Sequence, residues 1–348
     1  MTFRALALLP LSCVACLGVD TSTGAPDTAI TDTPSLEDSK PSLEAGPVTG
    51  TFGPDIVLDT SLPEVDTRET VQTEGSHVLT LGGWTMEPGR ETTRCIDVRL
   101  PNDKKIWVPR IRANLSKGSH HFVVYRSDSR HEQRQPYVCT PFIDTLYGDT
   151  VPLFITQTRE ETLELPPGVA FELEPHQMIR LEAHYLNYYT EPITAEATVT
   201  FELMPEGQVP IVADFMFYGT SDFKLPAGET YSTRWNFMPV PPDIQVFAMT
   251  GHTHQLGTNV EVEYTTFTTE GELVYPPEGE PFKWSEAPVS YFDPPLQFDG
   301  EYAFNLKCTW NNTTEQDVVF GESANKEMCF FWAYYYPSQG FLMRFSGF

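Results

Sequence analysis

Short apolar runs separated by turn-forming residues fill most of the chain. In one of them Leu181, Ala183 and Tyr185 alternate with Glu182 and His184, which is the period of a β-strand. Runs of similar character occur at 106–108, 122–125, 170–173, 178–185, 195–201, 211–217, 245–249, 260–264, 318–320 and 330–336. No long helical period interrupts them, so the pattern predicts an all-β protein.

The first residues predict an export signal. Arg4 precedes an apolar run at 5–11 that is too short to span a bilayer. Cys13 and Cys16 follow it, each after a small residue, so we predict a signal at 1–16 of the bacterial lipoprotein type, with either cysteine as the lipid anchor. Ordinary secretory cleavage is the alternative, because the position three residues before each cysteine is Pro or Cys rather than Leu.

The rest of the chain divides into three regions by composition. Residues 17–50 are rich in Thr, Ser, Pro, Asp and Gly without apolar periodicity, which predicts a disordered tether. The segment 205–210, which contains Pro and Gly, is the best candidate for a junction between domains. We therefore predict two domains, 51–205 and 206–348, each of a size that suits a β-sandwich.

Composition and charge narrow the range of partners. The 348 residues include 30 prolines and 23 glycines, which agrees with many short elements. The formal net charge of −26 argues against nucleic acid, because phosphate binding requires a basic surface. It equally disfavours docking on anionic lipid heads, so a membrane contact is expected only through an N-terminal lipid.

Four further cysteines are spread over the two predicted domains, namely Cys95, Cys139, Cys308 and Cys329. In an exported chain such cysteines predict two disulfides. Three pairings are possible from the sequence alone.

Candidate metal ligands come from the histidines, of which there are eight. His252 and His254 follow an apolar run, and residues i and i+2 of a strand point to one face, where two imidazoles could chelate one ion. His120 and His121 are adjacent, so both could ligate one ion only if the strand is twisted or bulged there, or if they use different ring nitrogens. Taken alone, each pair is more typical of an ordinary strand than of a metal site.

Two single residues complete the set of candidates. His184 can project from its strand, although a lone histidine is usually structural. Met328 precedes an aromatic run and taken alone indicates core packing, whereas as a ligand its soft thioether would favour Cu(I). The sequence contains no G-x-S-x-G, Gly-rich phosphate loop or H-E-x-x-H motif.

Together these segments form an ordered set of motifs. They are RCIDVRLP at 94–101, HH at 120–121, a cysteine at 139, LPPGVAF at 165–171, EAHY at 182–185, PAGE at 226–229, GHTHQLG at 251–257 and EMC at 327–329. The order and spacing resemble those of the copper type II ascorbate-dependent monooxygenases, which include peptidylglycine α-hydroxylating monooxygenase and dopamine β-monooxygenase. The resemblance covers roughly residues 80–340.

The resemblance implies a fold and a pair of copper sites. The family has two jelly-roll-like β-sandwich domains, each with one copper, so two coppers per chain are expected. The electron-transfer copper would be bound by His120, His121 and His184. The catalytic, oxygen-binding copper would be bound by His252, His254 and Met328. The implied disulfides are Cys95–Cys139 and Cys308–Cys329.

The implied reaction is hydroxylation of a C–H bond with dioxygen and electrons from ascorbate or another one-electron donor. The substrate would be a small molecule. Peptide-acting members have an arginine two residues before H-x-H that helps hold the substrate carboxylate, and Thr250 stands there in this chain. Phe330 and Trp332 replace two polar partners after Met-Cys. A substrate pocket at these three residues would therefore be more apolar, and peptidylglycine is not the expected substrate.

Two functions of different classes follow. The first is the copper monooxygenase, and the alternative is a non-catalytic exported copper-binding protein on the same fold. A zinc hydrolase is disfavoured, because zinc sites rarely use methionine. The expected location is the bacterial envelope, in the periplasm or at the cell surface, or otherwise the secreted fraction.

Overall fold

The computed structural model describes residues 75–140, 150–323 and 325–347. The predicted signal at 1–16, the anchor candidates Cys13 and Cys16, and the predicted tether at 17–50 lie outside these residues.

All regular elements in the described part of the chain are β-strands, which confirms the all-β prediction. The first eleven are β1 Ser76–Met86, β2 Glu91–Arg99, β3 Ile106–Val108, β4 Arg110–Leu115, β5 Ser119–Ser127, β6 Gln133–Val138, β7 Thr150–Thr156, β8 Glu160–Glu164, β9 Val169–Leu173, β10 Met178–Leu186 and β11 Ile193–Glu202. The other thirteen are β12 Ile211–Val212, β13 Asp214–Thr220, β14 Lys224–Leu225, β15 Thr230–Ser232, β16 Asn236–Pro239, β17 Ile244–His252, β18 Gly257–Thr266, β19 Glu272–Tyr275, β20 Val289–Phe298, β21 Tyr302–Asn311, β22 Val318–Val319, β23 Phe330–Tyr336 and β24 Leu342–Ser346.

Most predicted strand runs fall inside these elements, and one divides. The run at 211–217 becomes β12 and β13, because Ala213 separates a pairing with β9 from a pairing with β23. Several strands that the apolar runs did not predict, such as β4 and β20, carry charged residues or proline at many positions. These segments form strands because they pair with neighbouring strands, although their own side chains have little strand preference.

The strands form a pair of main sheets before residue 203 and another pair after residue 210. In the N-terminal half the orders are β1-β11-β4-β8 and β6-β2-β10-β5-β7. In the C-terminal half they are β20-β17-β23-β13-β24 and β15-β21-β18-β19, with β16 also paired to β21. Apolar side chains of both sheets in a pair enter a common core, which is the arrangement of a β-sandwich.

Alternation along the strands directs this burial. In β1 the side chains of Leu79 and Leu81 point into the core, while the intervening Thr80 is exposed. Ala195, Ala197 and Val199 of the partner strand β11 are buried at alternate positions in the same way. Burying each large aliphatic side chain contributes about 1.5–3 kcal/mol to the free energy of folding.

The sheet around β23 is buried on both of its faces. Phe331 and Ala333 point into the core of the C-terminal half, whereas Trp332 and Tyr334 join the core of the N-terminal half. The Tyr334 hydroxyl also accepts a hydrogen bond of 3.3 Å from the backbone N–H of Ile155, on the edge strand β7. The two halves therefore share an apolar contact that fixes β7 against β23.

Polar contacts and the connecting segment reinforce this junction. Arg126 lies 2.6 Å from the buried carboxylate of Asp214, and the two belong to opposite halves. After the predicted junction at 205–210, β12 pairs in parallel with β9 before the chain enters the C-terminal sheets. The domain division at 205 and 206 stays a prediction.

Two disulfides join the cysteines in the predicted pairing. Cys95–Cys139 links β2 to the residue that follows β6, with a separation of 44 residues. Cys308–Cys329 links β21 to the residue before β23, with a separation of 21 residues. The second bond tethers the segment that carries Met328.

Two further features lie away from the histidines. A cavity of about 550 Å³ is lined by residues 104–107 and 203–207, next to the predicted junction. Among the described residues, no helix has the length and apolar character needed to cross a bilayer.

Candidate metal centre

A β-bulge presents the two adjacent histidines of the N-terminal half. In the pairing of β10 with β5, His184 faces His121, but the next residue, Tyr185, faces Ser119. His120 is therefore the extra residue, which lets both imidazoles turn toward the same region. The ring centroids of His120 and His121 lie 5.2 Å apart, and each lies within 5.2 Å of the His184 ring. The bulge that the adjacent pair required is present.

Hydrogen bonds join two of the three imidazoles in this N-terminal group, and one of these two also contacts a carboxylate. The Nδ1 atom of His184 lies 3.1 Å from the Nε2 atom of His121. The Nε2 atom of His184 lies 2.8 Å from a carboxylate oxygen of Glu91. Because a carboxylate accepts, His184 carries its proton on Nε2, and its Nδ1 lone pair faces His121.

The second pair of histidines lies where β17 ends. His252 is the last residue of β17, while His254 lies beyond the strand in a turn. The backbone N–H of Gly257 donates to the carbonyl of His254 at 3.0 Å and closes this turn. A Cβ atom at position 257 would lie only 1.8 Å from the hydroxyl oxygen of Thr253, so the turn requires glycine. The two rings lie 5.2 Å apart although only one is on a strand.

Backbone and side-chain acceptors fix the orientation of both rings. The Nδ1 atom of His254 lies 2.9 Å from the carbonyl oxygen of Lys326. The Nδ1 atom of His252 lies 2.5 Å from the amide oxygen of Gln157, which belongs to the N-terminal half. Each Nδ1 therefore donates, and each Nε2 keeps its lone pair. The Nε2 atom of His252 is buried with no hydrogen-bond partner among the described residues.

A buried carboxylate ties the turn at His254 to the segment of Met328. Glu327 accepts hydrogen bonds of 2.8 Å from the backbone N–H groups of His254 and Leu256. It also accepts one of 2.9 Å from the indole of Trp310. Burial raises the pKa of Glu327 to about 7, against the lowering effect of these donors. Met328 is buried beside these contacts.

The structure brings the histidines of both halves into one cluster. We call the rings of His120, His121, His184, His252 and His254 the five-histidine cluster. The centroid of His120 lies 6.1 Å from that of His252 and 5.8 Å from that of His254. The centroid of His121 lies 6.4 Å from that of His252. The two predicted ligand groups are therefore neighbours across the junction between the halves.

Burial keeps four of these five imidazoles neutral. Desolvation, followed by repulsion from neighbouring histidines, holds the pKa values of His120, His121 and His252 well below the usual range. Desolvation also lowers the pKa of His254 to about 4. Neutral rings at physiological pH can each offer a lone pair to a metal ion.

The donor atoms are of the types that copper binds, but those of the histidines do not all lie within 4.8 Å of one another. Within the described ranges, the one set of three residues with all ligand atoms within 4.8 Å is Cys95, Cys139 and Glu182. Its cysteines form a disulfide, so it does not bind metal. The imidazole nitrogens of the five histidines are more widely spaced than this. Buried neutral imidazoles, an unpartnered Nε2 on His252 and a buried thioether are the donors that copper prefers.

A comparison with protein families agrees with this donor set. Residues 232–345 match the model for the C-terminal domain of the copper type II ascorbate-dependent monooxygenases. The matched region contains the C-terminal ligand candidates His252, His254 and Met328, and the carboxylate of Glu327.

Other comparisons add little. No curated protein sequence matches this chain. Among solved structures it is similar to the major capsid protein P2 of bacteriophage PM2, with 11% identity over 75% of this chain and 97% of that chain and a TM-score of 0.35. It is also similar to PBCV-1 VP54 fitted into a reconstruction of the virophage Sputnik, with 8% identity over 77% of this chain and 95% of that chain and a TM-score of 0.28. Scores this low carry no argument about fold or function.

The three predicted substrate-pocket residues lie in different surroundings within the matched region. Trp332 is beside the metal candidates, with its ring 6.2 Å from that of His252. Phe330 packs against Phe217 at 4.8 Å, in an aromatic group. The Thr250 hydroxyl donates to the carbonyl of Pro288 at 2.8 Å. Of the three, only Trp332 has a ring contact with a histidine of the five-histidine cluster.

Three polar residues of the site were given no role on the basis of the sequence. Glu91 contacts His184, Gln157 contacts His252, and Glu327 contacts the turn at His254. Glu327 directly precedes Met328 in the EMC motif, so its position beside a ligand candidate was a signal that could have been used. Glu91 and Gln157 lie in ordinary strand and turn surroundings and carry no local signal.

Proposed function

We propose that this chain is a copper-dependent monooxygenase that hydroxylates a C–H bond with dioxygen and a reductant such as ascorbate. The observation that carries the proposal is the five-histidine cluster, a buried group of imidazoles contributed by both halves. The family match of residues 232–345 supports the same activity. In this proposal the chain has two copper domains, 51–205 and 206–348.

Each half would contribute one set of ligands. His120, His121 and His184 would hold the copper that relays electrons, and His252, His254 and Met328 would hold the copper at which the substrate is oxidised. When bound, copper supplies one-electron redox cycling and activation of dioxygen. The softer set with the thioether is the one that favours Cu(I).

The protein's own contribution is orientation and exclusion of water. The acceptors at Lys326 and Gln157 hold the Nδ1 protons of His254 and His252, so both rings would present Nε2 to the metal. The aromatic residue Trp332 covers one side of His252. Because the cluster is buried, reactive species formed there would be shielded from bulk water.

Copper stoichiometry and oxygen consumption test the proposal. After copper loading, elemental analysis should give about two equivalents per chain, in keeping with the two ligand sets. Oxygen uptake should require ascorbate and rise with a C–H substrate. One equivalent of copper that a His252→Ala variant retains in full would contradict the two-site assignment.

The expected substrate is neutral or cationic rather than anionic. Thr250 stands where peptide-acting relatives use arginine, and its hydroxyl is already engaged with Pro288. Arg112 and Arg126, which could otherwise anchor a carboxylate, pair with Glu202 and Asp214. A carboxylate in such a pocket would lose hydration without gaining a paired cation, at a cost of several kcal/mol.

A competition assay decides the substrate class. Acylglycines would compete against phenethylamine-like and neutral benzylic compounds, with hydroxylated product as the readout. We expect turnover of the amines or benzylic compounds and none of the acylglycines. Preferential turnover of acylglycines would contradict the proposal and make Arg234 the next anchor to test.

The second candidate is a non-catalytic exported copper-binding protein. The observation that favours it is the burial of the three substrate-pocket residues, since Thr250, Phe330 and Trp332 are only 3%, 4% and 2% exposed. Such a protein would bind copper at the same residues without substrate-stimulated oxygen uptake. The oxygen assay therefore separates the two functions.

The disulfides and the family indicate an extracellular or otherwise exported protein. We further propose attachment to a bacterial envelope through a lipid on Cys13 or Cys16. The mass of the N-terminal peptide from native membranes would show the lipid, and a mature chain cleaved elsewhere in the leader would exclude it.

A further inference from the structure

Gln157 joins the two halves at the candidate metal centre. It follows directly after β7 in the N-terminal half and is only 7% exposed. Its amide nitrogen donates to the carbonyl of Gly251 at 2.9 Å, and its amide oxygen lies 2.5 Å from Nδ1 of His252. Both polar atoms of the side-chain amide therefore contact the last two residues of β17.

The partner at Gly251 determines which way the amide points. A backbone carbonyl can only accept, so the NH₂ group of Gln157 must face Gly251. The amide oxygen then faces His252 and can only accept in its turn. The Nδ1 atom of His252 must therefore carry the proton, which leaves the lone pair on Nε2.

The backbone of Gln157 is also placed by the N-terminal ligand group. Its neighbour Thr156 pairs with Phe122, which directly follows His121 on the adjacent strand. A shift of β5 and its histidines would thus be transmitted through β7 to the side chain that holds His252. Gln157 therefore follows a residue that is paired with the strand of one ligand group, and its side chain contacts a histidine of the other.

We propose that Gln157 is a positioning residue that selects the Nδ1–H tautomer of His252 and aims its Nε2 at the metal. The inference rests on the proposed function only for the identity of the metal. The buried Nε2 without a partner among the described residues supplies the second observation, because a lone pair in that position lacks a ligand. Metal-bound histidines commonly have their other ring nitrogen held in this way.

The first experiment uses the metal-free protein. Nitrogen-15 NMR of histidine-labelled protein reports the tautomer of each ring, and a His252→Gln variant assigns the signal. We expect Nδ1–H for His252 in the wild type and a mixture or reversal in Gln157→Met, which has similar volume but no acceptor. Gln157→Glu keeps the acceptor and should keep the tautomer.

A matched control lies at the opposite end of the N-terminal sheet. The amide of Gln177 also donates to backbone carbonyls, those of Ser127 and Met178. Gln177→Met should leave the His252 signal unchanged. An Nε2–H tautomer in the wild type, or an unchanged signal in a folded Gln157→Met, would overturn the proposal. A changed tautomer in Gln157→Glu would also overturn it, and this variant decides the matter if Gln157→Met does not fold.

The second experiment titrates Cu(II) and follows binding by calorimetry. Gln157→Met should weaken one of the two equivalents by roughly 10- to 100-fold and leave the other unchanged, as expected when a residue that orients a ligand is removed. Equal affinities in wild type and variant would overturn the role in metal binding. If the wild type binds no copper, the proposed function fails while the NMR result still decides whether Gln157 sets the tautomer.

Discussion

The two ligand groups are held in place by different means. In the C-terminal group, buried neutral acceptors fix each ring, the Lys326 carbonyl for His254 and the Gln157 amide for His252. In the N-terminal group, His184 is held by another ligand candidate, His121, and by Glu91, whose side chain is 41% exposed. The C-terminal group is therefore preorganised, whereas the N-terminal donors are partly engaged with each other.

This difference agrees with the role proposed for the C-terminal group, which would hold the copper at which the substrate reacts. A site that must hold one geometry while a substrate reacts gains from buried, uncharged acceptors, since these cost no reorganisation. Salt also screens the contact between His184 and the half-exposed Glu91.

The largest expected effect comes from removing the one soft donor. Met328→Ile keeps the side-chain volume but eliminates the sulfur, so turnover should be lost by more than the ~10- to 100-fold typical of a residue that merely orients a ligand. Copper at His120, His121 and His184 should remain reducible by ascorbate, as followed by the Cu(II) EPR signal. Full turnover in this variant would mean that Met328 is a core residue.

Acid should destabilise the metal-free protein through both groups. Unfolded histidines take up a proton below pH 6.5, but the lowered pKa values of His120, His121, His252 and His254 keep the folded rings neutral, down to about 4 for His254. Stability is therefore lost as pH falls below 6.5, at up to about 1.4 kcal/mol per pH unit for each such ring. The raised pKa of Glu327, about 7, offsets roughly one ring, because the folded state takes up that proton first.

Denaturant unfolding of the metal-free chain at pH 7 and pH 5 measures this slope. A His254→Leu variant should show a shallower dependence, because one depressed titration is removed. If the variant has the same pH dependence as the wild type, the His254 ring takes up a proton as readily in the folded protein as in the unfolded one.

A smaller effect separates the two carboxylates of the site. Glu327→Ala leaves the buried N–H groups of His254, Leu256 and Trp310 without an acceptor and should cost about 3 kcal/mol in the free energy of unfolding. Glu91→Ala removes a half-exposed partner and should cost less than about 1 kcal/mol. If chemical denaturation shows that both variants lose the same free energy of unfolding, the two ligand groups are not held by different means.

The smallest effect tests the contact that brings the groups together. Tyr334→Phe removes the hydroxyl that meets the backbone of Ile155 on β7, and should cost about 1 kcal/mol. Tyr336→Phe on the same strand is the control, with an expected change within about 0.5 kcal/mol. If Tyr336→Phe lowers the free energy of unfolding as much as Tyr334→Phe does, the hydrogen bond to Ile155 has no particular role in stability.

Much of the fold could be predicted from local patterns, whereas the set of ligand candidates followed from the resemblance of the ordered motifs to a known family. The alternation around Leu181 and Tyr185 predicts β10, and the adjacent histidines at 120 and 121 predict a bulge that the structure contains. The position of His254 was less predictable. Strand periodicity places it on the face of His252, but β17 ends one residue after Gly251 and the turn at Gly257 sets the His254 ring.

The sequence by itself determined most of the strand pattern and offered the imidazole and thioether side chains as candidate donors. These depend on residues within a few positions of one another, where backbone geometry is local. Only the tertiary structure decided that the two ligand groups are neighbours and that Gln157 holds His252, from 95 residues away. A glutamine after a strand looks the same in sequence whether it faces solvent or a metal ligand. Its role arises because burial between the two halves leaves its amide only the partners that the opposite half provides.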